Sequence, residues 1–212
     1  AAVVMTYPLI GNYGITDEDY EAKNPTVGAL IVREYNDFPS NFRYTKTLSE
    51  YLEENGIPGI YGMDTRALTR AVRDLGTCKC VIVDADINTE VALEIIKSTE
   101  LAKNLVAEVT CAKRWYARTA NAHYSVVVID CGVKLSTIKT LNSMGCNVTI
   151  LPAAATADDV AMMQPDGVVI SQGPGNPEDA AYVAELVKAL AGKYPIFGIG
   201  LGCQLIALAY GA

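Results

Sequence analysis

From Ser125 onward, apolar and polar positions alternate in blocks of strand and helix length. Val126 to Ile129 is an unbroken apolar run, as expected for a strand buried on both faces. A helical stretch from Lys134 to Met144 closes at Gly145, and a second strand runs from Val148 to Leu151. Thr156 to Asp159 resembles a capping box opening a short helix to Met163. Val168 to Ser171 reads as a third strand, Glu178 to Leu190 as a helix, and Ile196 to Ile199 as a fourth strand. Gly202 to Tyr210 begins a last helix. This alternation with short loops predicts a parallel sheet with right-handed crossovers.

The first part of the chain is mixed. Val3 to Thr6 reads as a short strand ending at Tyr7-Pro8, followed by the Gly-rich turn Ile10-Gly11-Asn12-Tyr13-Gly14. Gly28 to Arg33 reads as a strand, and Thr47 to Glu54 as a helix stopped by Asn55-Gly56. Asp64 is the expected N-cap of a helix through Leu75, with Gly76 just past its end. Cys80 to Val83 returns as a strand. The change of pattern sets domain 1 at residues 1–118, a linker at 119–123 and domain 2 at 124–212.

Composition narrows the class. Half of the 212 residues are apolar and 19% are charged, which excludes a disordered chain. No apolar run reaches the ~18 residues of a membrane helix, so no membrane association is expected. Seventeen basic against 24 acidic residues leave a net charge of −7, which disfavours nucleic acid as a partner. Six cysteines offer neither a disulfide framework nor paired C-x-x-C, so no metal site is expected and a cytoplasmic protein with reduced thiols is the simplest reading. There is one histidine, His123, so a histidine base must be that residue or come from elsewhere. The start, Ala1-Ala2-Val3-Val4, has neither an initiator Met nor a basic leader and reads as a fragment.

Two loops at predicted strand ends carry candidate chemistry, because open parallel sheets place their sites at the carboxyl ends of strands. In Ser171-Gln172-Gly173-Pro174-Gly175-Asn176-Pro177 the glycines admit a close ligand and the prolines stiffen the loop. Its backbone N–H groups could serve as oxyanion or carboxylate donors, and a turn selected only for shape is the competing reading. The second loop, Gly198-Ile199-Gly200-Leu201-Gly202-Cys203-Gln204, has the form of a strand-to-helix elbow, with Gly200 where a nucleophile would stand. A dinucleotide fingerprint competes poorly, since the third glycine comes one residue early and on a late strand.

These residues resemble a known family. The stretch from Tyr124 to Ala212 resembles the first half of a class I glutamine amidotransferase domain. Its two glycine loops look like the family's S-x-G-P-G-[DN]-P and G-[IV]-C-L-G-H-Q segments. Tyr7-Pro-Leu-Ile-Gly-Asn-Tyr-Gly14, Ser40-Asn-Phe-Arg43 and Gly62-Met-Asp-Thr-Arg-Ala-Leu-Thr-Arg70 resemble the small subunit of carbamoyl phosphate synthetase. The implied fold is α/β: a mixed N-terminal domain of strands and helices, then half of a flavodoxin-like parallel-sheet domain. The implied reaction is glutamine hydrolysis through a cysteine thiolate. Its ammonia feeds a large subunit that makes carbamoyl phosphate from bicarbonate and ATP, for arginine or pyrimidine synthesis. By the same resemblance Gly173, Gly175, Leu201 and Gln204 contact glutamine, the N–H groups of Gly175 and Leu201 form the oxyanion hole, and Gly200 holds the nucleophile position. No cofactor is expected in this chain, with ATP and Mg on the large subunit of a heterodimer. Asp64, Thr65, Arg66 and Arg70 match the family's D-T-R helix, read as architectural or interfacial.

Two departures stand out. Gly200 replaces the family's cysteine, and Cys203 stands where the motif has histidine; Cys203 is expected to be a buried structural thiol. The family's His and Glu partners fall beyond Ala212, its glutamine-contacting Ser precedes Ala1, and His123 falls in the linker. The expected consequence is a chain without glutaminase activity. The alternative is a non-catalytic structural subunit supporting synthesis from free ammonia.

Overall fold

The computed structural model describes residues 1–212, which divide into two compact units, residues 1–101 and 102–212. In the first unit, β1 (Ala2–Val4), β3 (Ala29–Ile31) and β5 (Gly59–Ile60) form a three-stranded parallel sheet in the order β1-β3-β5. A second parallel pair joins β2 (Leu9–Ile10) to β4 (Glu34–Tyr35). Helix α1 (Leu48–Glu54) opens with a full capping box, in which Thr47 Oγ1 accepts from Glu50 N–H and Glu50 accepts from Thr47 N–H. Helix α2 (Thr65–Leu75) starts at Asp64, whose carboxylate accepts from Ala67 N–H, and ends at Gly76 with φ +78°. Helix α3 (Thr89–Ser98) follows. Only Thr16, Ala29, Val32 and Thr65 are buried in this unit. Its apolar side chains instead line an open cleft of about 310 Å³ between α1 and the β3–β5 edge, bounded by Leu30, Val32, Leu48, Leu52 and Ile60.

The second unit is a doubly wound sheet. Its strands are β6 (Trp115–Ala117), β7 (Tyr124–Asp130), β8 (Cys146–Pro152), β9 (Gly167–Ile170) and β10 (Ile196–Gly198), in the order β10-β9-β7-β8-β6. All pairs are parallel except β6 with β8. The helices are α4 (Leu105–Val109), α5 (Leu135–Ser143), α6 (Ala157–Met162), α7 (Ala181–Leu190) and α8 (Leu201–Ala209). The period of two along β7 separates two cores. Val127 and Ile129 pack with Val183, Val187, Leu201 and Leu205 of α7 and α8, whereas Val128 packs with Ile138 of α5, Val148 and Ile150. Both faces are covered, which explains the unbroken apolar runs in β7 and β9.

The structure differs from the sequence expectation in four places. Residues 80–83 form no strand, because no neighbouring strand pairs with them and β propensity alone does not make a ladder. The Glu178 to Leu190 helix is divided: Pro177–Ala180 is a 3-10 turn and the α-helix starts at Ala181. Helices α3 and α4 and strands β2, β4, β5 and β6 were not anticipated. The second unit starts at Ala102 rather than in the 119–123 segment, because α4 contributes Val106 to its core and β6 pairs with β8.

Candidate active-site corner

The ends of β9 and β10 adjoin because the two strands pair in parallel, Ile170 opposite Gly198. Beyond the pair, Ile199 N–H donates to Ile170 O at 3.0 Å, and the chain turns sharply into α8. Gly200 sits at the turn with φ +56° and ψ −114°, a combination side chains rarely adopt.

The three glycines of the corner differ in what surrounds them. A Cβ on Gly198 would lie 2.6 Å from the Cys203 nitrogen and from the Gly202 carbonyl. On Gly202 it would lie 2.1 Å from Ile170 O. Those two positions exclude any side chain, because the helix start is pressed onto the end of β9. On Gly200 the nearest atom would be Gln172 Cβ at 3.5 Å, an ordinary van der Waals contact. The middle position therefore has room for a side chain, directed at the 171–175 loop.

That loop is tied to the end of β7. A Cβ on Gly173 would lie 2.1 Å from Cys131 O, so the loop backbone lies directly on the end of β7. The buried Ser171 hydroxyl accepts from Cys131 N–H at 2.9 Å and donates to Gln172 O at 2.8 Å. Asp130, buried at the end of β7, accepts from the backbone N–H groups of Cys111, Gly132 and Val133 at 2.8, 2.9 and 2.8 Å. Thr110 Oγ1 donates to Asp130 O at 2.6 Å and accepts from Ala153 N–H at 2.9 Å. These bonds join the carboxyl ends of β7, β8 and β9 into one platform. Sequence reasoning did not single out Asp130 or Thr110; the Asp-x-Gly after an apolar strand was the available signal for the first.

The residues expected to act together are placed as follows. Gly173 and Gly175 lie in the loop at the end of β9, and Gly175 has φ +91°. Leu201, buried, is the first residue of α8, and neither its N–H nor that of Gly175 donates to a protein acceptor. An unpaired N–H at a helix start is available to an incoming oxygen. Gln204 is exposed in the first turn of the same helix. Gln172 reaches Thr137 Oγ1 of α5 through its side-chain nitrogen at 3.3 Å, while its side-chain oxygen, Oε1, is buried without a partner.

Candidate sulfurs and bases are poorly placed. Burial and then the Asp130 charge push the Cys131 thiol up to about 12, and the same two causes push Cys111 to about 12, so both stay protonated near neutrality. Cys203 is exposed, which corrects the expectation of a buried thiol: α8 packs through Leu201, Gly202 and Leu205, and Cys203 falls on the outer side. His123 lies just before β7, its N–H bonded to Gly145 O at 2.7 Å. It is at the amino end of a seven-residue strand whose carboxyl end carries the platform, ~20 Å away at ~3.3 Å per residue. No three His, Cys, Asp or Glu side chains converge to hold a metal ion, and no helix is long and apolar enough to cross a membrane.

The chain's similarities agree with this layout. Residues 1–82 match the family described as carbamoyl-phosphate synthase small chain, CPSase domain, and residues 127–212 match glutamine amidotransferase class-I. The chain is 44% identical over 210 residues to the carbamoyl phosphate synthase small chain of Listeria monocytogenes, covering 99% of this chain and 57% of that protein. It is 44% identical over 224 residues to the small chain of Syntrophotalea carbinolica, covering 99% and 60%. To the carbamoyl phosphate synthase pyrimidine-specific small chain of Bacillus subtilis it is 43% identical over 210 residues, covering 99% and 57%. The chain thus spans 57–60% of the length of these relatives. Motifs in both units and similarity along 99% of the sequence place the chain in the carbamoyl phosphate synthase small-chain family, with a class-I glutamine amidotransferase region as its second part.

Proposed function

We propose that this chain is the glutamine amidotransferase scaffold of a carbamoyl phosphate synthase, and that it lacks glutaminase activity because Gly200 occupies the nucleophile position. The observation that carries the reading is the asymmetry of the three corner glycines: the outer two exclude a side chain, while the middle one has open space directed at the Gly173–Gly175 loop. Glutamine's side-chain carbonyl would be held between that loop and the start of α8. The N–H groups of Gly175 and Leu201 would donate to the developing oxyanion, and Gln204 would contact the substrate. An attacking thiolate would form a bond to the amide carbon, a protonated histidine would give its proton to the leaving nitrogen so that the C–N bond breaks and ammonia departs, and water would then cleave the thioester to glutamate and free thiol. With a hydrogen at position 200 the first bond cannot form. Cys203 is a poor substitute, since it lies within the first turn of α8, three residues past the corner, and is exposed on the helix's outer side.

The partner on this reading is a large synthetase chain that binds ATP and Mg and consumes the ammonia, while this chain needs no cofactor of its own. The glycine at position 200 also favours a second reading, a structural subunit that supports synthesis from free ammonia. Both readings predict no glutamate release from glutamine above a heat-inactivated control, and measured release would contradict both. They separate on Gly200→Cys, assayed in the complete small chain bound to its large partner. Gain of glutamine-dependent turnover supports an amidotransferase lesion confined to one side chain. No gain supports the structural subunit.

A further inference from the structure

Residues 76–87 join α2 to α3 without helix or strand, and within them Cys78 and Cys80 are both exposed as free thiols. From Cys78 to Asp84 the backbone makes no turn or bend, and no N–H group from Thr77 to Val83 donates to a protein acceptor. Lys79, between the two cysteines, donates from Nζ to Thr99 O at 2.5 Å, just past the end of α3. In an unbent run side chains alternate, so residues two apart lie on one side and the residue between them on the other. Cys78 and Cys80 therefore face the same way, opposite to the side on which Lys79 is held.

Their spacing decides what they can hold. Residues two apart in an extended run have Cα atoms ~6.7 Å apart and Cβ atoms at about the same separation. A disulfide needs Cβ atoms ~3.8 Å apart, so direct closure would demand a sharp local bend. A cation between the sulfurs needs them only within ~4.6 Å, two bonds of ~2.3 Å, which rotation of the two side chains supplies. Two thiolates fall short of the four ligands of zinc, and no cluster of three His, Cys, Asp or Glu side chains supplies the rest. Copper(I) is soft, prefers thiolates and accepts two collinear sulfurs. The other cysteines form no equivalent pair: Cys111 and Cys131 hold their protons, Cys146 is buried, and Cys203 belongs to the second unit.

We propose that Cys78 and Cys80 form a two-thiolate clip for a soft monovalent metal ion of the copper(I) class. On binding, both S–H groups release their protons to solvent and two S–Cu bonds form, with no change in oxidation state. The product carries one negative charge, which the adjacent Lys79 ammonium offsets. The test is anaerobic titration of the whole chain with copper(I) in ascorbate, in competition with a chromophoric chelator. The clip predicts a single tightly held ion per chain. Cys78→Ser and Cys80→Ser should each weaken binding about a hundredfold or more, because the second sulfur binds as an intramolecular donor. Cys203→Ser should leave the affinity within about twofold of wild type. Bound copper(I) should also slow tryptic cleavage after Lys79, the bond the clip spans, in the wild type and not in Cys78→Ser/Cys80→Ser. Copper(I) binding by the double variant equal to wild type, or single variants that each keep most of the affinity, would overturn the proposal. So would zinc(II) binding of comparable strength, which needs donors the clip lacks, or isolation of the chain with Cys78 and Cys80 joined as a disulfide.

Discussion

At position 202 a methyl group would overlap Ile170 O, and at position 200 it would meet open space. The sequence shows three glycines in alternation and predicts a corner, but the different demands on them become legible only when neighbouring atoms are placed. Gly202→Ala should destabilise the second unit by about 3 kcal/mol, since backbone must move to admit the methyl. Gly200→Ala should cost about 1–2 kcal/mol, the strain of its backbone angles alone. Urea unfolding of the two variants measures the difference, and equal losses would count against the packing described for the corner. Cys131 makes a second prediction at this scale. Burial holds its thiol at about 12 in the folded chain, well above the ~8.5 of an unperturbed thiol. The folded state therefore keeps a proton that the unfolded state releases as pH rises above about 9, and stability should fall between there and 12. Cys131→Ala should flatten that fall, read as the change in urea midpoint between neutral and alkaline pH.

Elements with their own local signals were legible. Thr156 and Asp159 form a capping box at α6, and Asp64 and Gly76 bound α2 at the residues their chemistry indicates. Removing the Thr156 hydroxyl in Thr156→Ala should cost about 1 kcal/mol, with loss of less than a quarter of that showing that the cap contributes little. The apolar runs of β7, β8 and β9 were legible because both faces are buried. Elements that depend on partners were not. Val81 to Val83 has strand composition and no strand to pair with, whereas Trp115–Ala117 becomes a strand only because β8 offers an edge. The site was legible in its glycines, which carry a motif, and illegible in Thr110 and Asp130, whose role is to tie strand ends together across long sequence separations.

The two units differ in how well they enclose apolar surface. The second has two cores on the two faces of its sheet, while the first buries four residues and leaves its apolar side chains along a cleft. Residues 76–87 between α2 and α3 carry no helix or strand and are mostly exposed. Limited proteolysis with trypsin should therefore cut first after Lys79, leaving a fragment that contains the second unit as the slowest species to disappear. Initial cleavage within the β7–β9 region would contradict this ordering.

The central claim is that position 200 is a corner shaped to present an attacking sulfur. Its most direct test is the rate of iodoacetamide alkylation of Gly200→Cys as a function of pH, in a background where the exposed Cys78, Cys80 and Cys203 have been replaced by Ser. A thiol at that turn, beside the unpaired Leu201 N–H and the start of α8, should titrate below the ordinary ~8.5 and react readily near neutral pH. A thiol that titrates at or above the ordinary value, or that resists alkylation in the folded chain, would contradict the account.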